Sequence, residues 1–317
     1  SKNLCESAEL GINLETFLKK LEKEGLHLGK HSFEVKTDYT MAVKAKAATT
    51  DQILDALYDF DKLNEEQRFL LVNLSFLPAE PYTLQFINSL LVNETNRNDL
   101  DLRKTLKSLS KKGWVSQTEK TYRLSPVIQD LILHKNKETL GADVIMLVSN
   151  LVILLKSENI DSLDERYKKR ICADIGLGVL KSVNIKNEPL LLNLKYNISE
   201  IIGHIPHSIN DLMTARRFLE EILQFEHDES IDSFYSINIV RASLAQVLRT
   251  IGGKENLIQA KKNLEFSIEF IKKYKNYDPL DLAILQSSLA LILYDLGGTG
   301  NIIESIELAL ECIQLLK

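Results

Sequence analysis

Proline and glycine are scarce in this 317-residue chain, at six and thirteen. So few turn formers exclude a fold built from many short strands and favour long helices. Cysteine is scarcer still. Cys5, Cys172 and Cys312 are odd in number and far apart, which excludes a disulfide framework and any zinc-binding spacing. The same usage fits a reducing, cytoplasmic setting. Charge of one sign is also missing: 39 Lys and Arg face 44 Asp and Glu, a net −5. No global basic field draws the chain to nucleic acid or to an anionic membrane. Long apolar runs are absent too. Val144 to Leu155, interrupted by Ser149 and Asn150, is too short to span a bilayer and reads as a buried helix, so no membrane contact is expected.

What is present is a hydrophobic content of 44% and a charged content of 26%, ordinary for a chain with packed cores. The length suits two or three domains. Patterning divides the chain into a helical segment over 1–60, a mixed region over 61–136 and an all-helical region over 137–317. In the first, Asn13 is placed to cap a helix with Leu14, Phe17, Leu18 and Leu21 on one face, ending at Gly25.

The second region opens on Asn64-Glu65-Glu66-Gln67, a capping-box pattern in which Gln67 reaches back to the Asn64 amide. The helix after it is expected to bury Phe69, Leu70, Val72, Leu74 and Phe76 and to stop at Pro78 and Pro81. Tyr82 to Leu91 and Leu100 to Leu109 predict two more helices. Trp114-Val115-Ser116 and Thr121-Tyr122-Arg123-Leu124 flank a polar tip and predict a hairpin. Pro126 then starts a further helix. Three helices, a hairpin and a following helix make a winged helix-turn-helix.

From residue 140 the periodicity predicts helices over 144–155, 163–180, 190–205, 210–225, 234–251, 257–274, 280–296 and 302–316. Part of this region repeats with an offset of 45. Ser243-Leu244-Ala245 recurs as Ser288-Leu289-Ala290, Gly252-Gly253 as Gly297-Gly298, and Asn256-Leu257-Ile258 as Asn301-Ile302-Ile303. A weaker copy precedes them: Leu212, Ala215 and Leu219 match Leu257, Ala260 and Leu264. Small residues at Ala245, Ala260, Ala290 and Ser305 suit close helix crossings, and the glycine pairs suit tight turns. Such hairpins bury their apolar faces only against one another, so they stack.

Ala245, Gly252, Ala260 and Ser267 sit as in tetratricopeptide repeats, which the region resembles. The unit is longer than theirs, with Lys254 to Asn256 reading as inserted turn residues, and its period also falls in the HEAT range. The fold class is therefore all-α with a small β-hairpin: a winged helix-turn-helix followed by a tetratricopeptide-like superhelix.

The order of parts carries a wider resemblance. A helix through Glu15 to Leu21, then Leu63 to Leu71, Leu106 to Val115, Tyr122 to Gln129 and helical repeats is similar to the C-terminal part of signal-transducing NTPases of the NB-ARC, or STAND, type. The resemblance implies a nucleotide domain upstream, and the Ser1-Lys2-Asn3 start without Met reads as a piece of a longer protein. It implies that ADP or ATP belongs to the parent protein and that this chain itself holds no cofactor. In that family a histidine after the wing touches ADP. Leu124, Ser125 and Pro126 stand there, with Ser125 in the histidine's place; Ser125 also suits the cap of the helix that starts at Pro126.

No catalytic constellation emerges, so an enzyme is not expected. Gly25 to His31 is one residue short of a phosphate loop and carries His31 where Ser or Thr belongs. His204 and His207 have ligand spacing, but Pro206 separates them and nothing completes a metal site. The expected function is regulatory: the repeats bind a protein, peptide or other ligand and couple this to an NTPase switch, with Gln246, Arg249, Ile284 and Tyr294 on the inner face of the first helices of the hairpins. One alternative is a transcription regulator gripping DNA through Arg103, Lys104, Lys107, Lys111 and Lys120, within a cluster that also holds Arg97, Lys112 and Arg123. Another is a stand-alone adaptor.

Overall fold

The structure is a computed structural model that describes residues 32–33, 48–49, 58–91, 99–136, 140–156, 162–225, 234–273 and 278–315. The expected helix at Asn13, the Gly25 to His31 string, Cys5 and Arg97 lie outside them. The chain divides into two compact units, one of residues 1–151 with 174–186, the other of 152–173 with 187–317.

The first unit begins with a two-residue ladder, Ser32–Phe33 (β1) against Ala48–Thr49 (β2). A short 3-10 turn, Phe60–Lys62, precedes helix α1, Glu65–Leu74. The capping box forms: Gln67 N–H donates to Asn64 Oδ1 at 2.9 Å, and Asn64 N–H donates to Gln67 Oε1 at 3.3 Å. α1 ends four residues before Pro78, and Phe69 is only half-buried, so the expected apolar face is one residue narrower.

The second expected helix starts later than its pattern suggested. Tyr82–Thr83 is a strand (β3) and the helix, α2, runs Leu84–Leu91. Tyr82 pairs with Tyr122 and Thr83 with Thr121, a tertiary bond no local pattern contains. Helix α3 is Asp99–Lys111, followed by β4, Val115–Thr118, β5, Thr121–Leu124, and α4, Pro126–Lys135. The sheet order β3-β5-β4 with α2 and α3 between the first two strands in sequence is the winged helix-turn-helix topology. Trp114 is buried where β4 begins, edge-on to Tyr58 and Phe60.

α5, Leu140–Asp143, and α6, Ile145–Lys156, follow. Buried amides tie this unit together. Asn73 donates to Asp143 O at 3.1 Å, and Asn150 to Leu90 O at 2.9 Å, closing backbone acceptors that burial would otherwise leave unpaired. Helix α7, Leu163–Ser182, contributes residues to both units.

The second unit is built on three helical hairpins: α8, Glu188–His204, with α9, Ile209–Leu223; α10, Phe234–Ile251, with α11, Lys254–Lys273; and α12, Pro279–Leu296, with α13, Thr299–Leu315. Neighbouring helices pack in chain order, α8 to α13. Lys254 to Asn256 are the first turn of α11 and not inserted turn residues. The turn is Gly252-Gly253 alone, with φ of 76° and 85°, and Gly297-Gly298 repeats it at 67° and 85°. The extra length of the unit therefore lies in long helices. By length and composition α12 would pass for a membrane span, but Leu282, Leu285, Leu289 and Leu293 are buried against its neighbours, as in a core helix.

Side-chain bonds carry the 45-residue register further than the letters do. Asn256 donates to Gly252 O and Asn301 to Gly297 O, both at 2.7 Å. Each amide closes a carbonyl at the glycine turn and pins the next helix to it. Ser267 Oγ donates to Asn238 O, and Cys312 Sγ to Ala283 O, the same contact one hairpin on. The weak first copy joins the series through a polar ladder on the second helices. Arg216 pairs with Glu220 and reaches Gln259; Lys261 pairs with Glu265 and reaches Glu304. Every partner is displaced by 45.

Candidate functional site

The first helices of the second and third hairpins, α10 and α12, run side by side with an open groove between them. Its volume is about 160 Å³, and Ile239, Ala242, Ile271, Ile284 and Leu285 form its apolar lining. Asn238, Ser243 and Asp281 supply the polar atoms. Ile239 and Ile284 occupy the same register position and are 42% and 53% exposed. Two branched aliphatic side chains held open to solvent at equivalent places are a surface that gains by being covered.

Helical phase extends this face. At 100° per residue, Ile239, Ala242, Gln246 and Arg249 share one face of α10, and Ile284, Ser287, Leu291 and Tyr294 share the matching face of α12. Leu291 and Tyr294 are exposed. Gln246 is half-buried. Arg249 is not a free cation: its Nε lies 2.6 Å from Asp295 Oδ2, an ion pair that joins the C-terminal ends of the two helices. Of the four residues picked from sequence, Ile284 lines the groove, Tyr294 and Gln246 continue its face, and Arg249 joins the helix ends. Ile239 and Leu291 were missed, although an offset of 45 from Ile284 and Gln246 points straight at them.

Among the described lining residues Asp281 carries the charge. Tyr196, on α8, has its phenol pushed up to about 12 by burial and by the Glu200 carboxylate, while a hydrogen bond with Ser243 acts the other way. It therefore stays a neutral hydroxyl beside a groove residue. His204 is exposed and leans on Glu200, at 3.8 Å, which raises its pKa. Among the described residues no three metal-capable side chains come together.

In the other unit, Ser125 Oγ accepts the Ile128 N–H at 3.3 Å and caps α4, with Pro126 at the first turn. Its hydroxyl is thus engaged by its own helix. Arg103, Lys104, Lys107 and Lys111 all lie exposed along α3, and Lys120 is exposed at the tip of the wing. The third helix is held by Gln67, whose amide donates to Ser108 at 2.9 Å and accepts from Lys112 at 2.9 Å.

No protein-family model matches the sequence, and no curated protein matches it. Among solved structures, a crystal structure of a signal transduction ATPase with numerous domains (STAND) carrying a tetratricopeptide repeat sensor, from Pyrococcus horikoshii, overlaps 85% of this chain at 15% identity with a TM-score of 0.34. The chain spans 47% of that protein, about half its length. At that TM-score the overlap decides neither fold nor function, which rest on the contacts described above.

Proposed function

We propose that this chain is a non-catalytic regulatory module whose hairpins seize a protein or peptide segment in the groove between α10 and α12. The observation that carries the reading is the pair Ile239 and Ile284, exposed at one register position across an apolar groove of about 160 Å³. Such a volume suits one aliphatic or aromatic anchor side chain, with specificity left to the polar atoms around it. Tyr294 offers the broad, partly polar surface common at energetic centres of interfaces.

Within that reading the winged-helix unit relays occupancy of the groove to a nucleotide domain of the NB-ARC type in the parent protein, where ADP or ATP would bind. The support is the order of parts: winged helix first, stacked hairpins after it.

A displayed peptide library panned against the 317-residue chain tests the binding reading. Peptides sharing an apolar anchor are expected, with binding lost in Ile239→Glu and Ile284→Glu while the helical circular dichroism is kept. Enrichment indifferent to both substitutions would sink it. The switch reading is tested separately: a parent gene with no phosphate loop upstream of residue 1 removes it and leaves the adaptor.

A further inference from the structure

We infer that the exposed face of α3 and the β4–β5 wing together form a binding surface for duplex DNA, independent of the groove. Helix α3 is seated by its apolar face. Leu102, Leu106 and Leu109 are buried in the unit's core, which sets the helix's rotation about its axis. The Gln67 clamp through Ser108 and Lys112 holds it from the α1 side.

With that rotation set, Arg103, Lys107, Lys111 and Lys104 fall within an arc of roughly 100° on the opposite side. All four are exposed. From Asp101 to Lys111, no carboxylate falls within the arc; Asp101 lies beyond its edge, 3.4 Å from Lys104. Glu66 lies on the α1 side, within 3.4 Å of the Thr105 hydroxyl. The wing adds exposed Lys120 and Arg123, with Glu119 at its tip in a left-handed turn of φ 51°. Cations therefore dominate both elements, with Lys104 paired to Asp101 on its own helix.

Shape selects the polyanion. A helix about 10–12 Å across matches the major groove of B-form DNA, about 12 Å wide. The deep, narrow major groove of A-form RNA does not admit it. In a helix-turn-helix the recognition helix lies in the major groove, and the β4–β5 hairpin follows α3 directly in the chain. The net charge of −5 does not oppose this. Charges more than about 8–10 Å away are screened at physiological salt, so the local stripe governs the encounter.

Fluorescence anisotropy of the 317-residue chain with a mixed-sequence DNA duplex, and with an RNA duplex of equal length, decides the matter. DNA binding is expected at low salt, with affinity falling steeply as salt rises; six engaged cations would give a log–log slope of about −5. DNA is expected to be held more tightly than RNA. Arg103→Glu with Lys107→Glu is expected to weaken binding about tenfold or more, with an unchanged thermal unfolding curve. Lys272→Glu with Lys273→Glu, exposed on α11, should leave it within about twofold. No binding at low salt, equal affinity for the two duplexes, or undiminished binding by the α3 variant would each overturn the inference.

Discussion

Ile268 and Ile313 stand at the same position of successive hairpins, yet Ile268 is 7% exposed and Ile313 52%. The α12 helix seals the α11 face, and no described helix does the same for α13. Ile302, Ile303, Ile306 and Leu310 share the uncovered face. The polar ladder also stops there: the place of Arg216 and Lys261 is taken by Ile306, and that of Glu220 and Glu265 by Leu310.

Equivalent substitutions should therefore have unequal costs. Ile268→Ala is expected to lose about 2–4 kcal/mol of unfolding free energy, since it deletes sealed methyl groups and leaves a cavity. Ile313→Ala should stay within about 0.5 kcal/mol. Urea unfolding of the two variants, with an unchanged m-value, checks the contrast. Similar losses would mean that α13 is covered in solution.

Arg170 and Asp211 form the most enclosed ion pair described, with Nη1 2.7 Å from Oδ2 and both side chains largely shielded. Asp211 also accepts the His207 N–H at 2.7 Å. Burial alone would raise the Asp211 pKa, but the Arg170 hydrogen bond and the His207 and Ser208 amides outweigh it and hold it below the ordinary value. A depressed carboxylate contributes stability that is fully present above its unfolded pKa, near 4, and is lost as pH falls through the lower folded value. Stability from this pair should thus be flat from neutrality to about pH 4 and decline below. Arg170→Ala is expected to cost about 3 kcal/mol at pH 7 by stranding the carboxylate. Thermal melts of both proteins from pH 7 to pH 3 test this, and equal melting at pH 7 would refute it.

Glycine at 297 and at 300 should answer differently to alanine. Gly297 has φ 67° and ψ −174°, a conformation nearly closed to side chains, so Gly297→Ala should cost about 1–3 kcal/mol. Gly300 lies in the first turn of α13 with nothing within 4 Å of an added Cβ. Gly300→Ala should gain about 0.5 kcal/mol or more. Denaturant midpoints moving in opposite directions would bear this out.

Two thiols should be inert while the protein is folded. Burial, with the Glu165 carboxylate adding to it, pushes Cys172 up to about 12. Burial and Glu311 raise Cys312, whose Sγ lies 3.4 Å from Ala283 O. At pH 8 the reactive thiolate is almost absent at Cys172. Peptide mapping after iodoacetamide treatment should find both residues unmodified in native protein and fully modified in urea. Rapid native labelling of either would contradict the packing.

The sequence alone determined the local and periodic parts of this protein. The Asn64–Gln67 box, the helix opening at Pro126, the glycine turns and the register of 45 are encoded within a few residues or by simple repetition, so they could be read directly. The exposed face of α12 was legible at Ile284 and Tyr294 for the same reason: helical phase is a local property. The tertiary structure alone decided the rest. Strand β3 exists only because Tyr82 meets Tyr122, across forty residues of chain. Arg249 changes from a candidate contact to a brace only because Asp295 lies beside it, and Ser125 is engaged by the Ile128 amide. Which equivalent isoleucine is sealed, Ile268 or Ile313, depends on whether another helix lies over it. Composition and phase do not encode the presence of that neighbour, because burial belongs to the packed assembly of helices and not to any one of them.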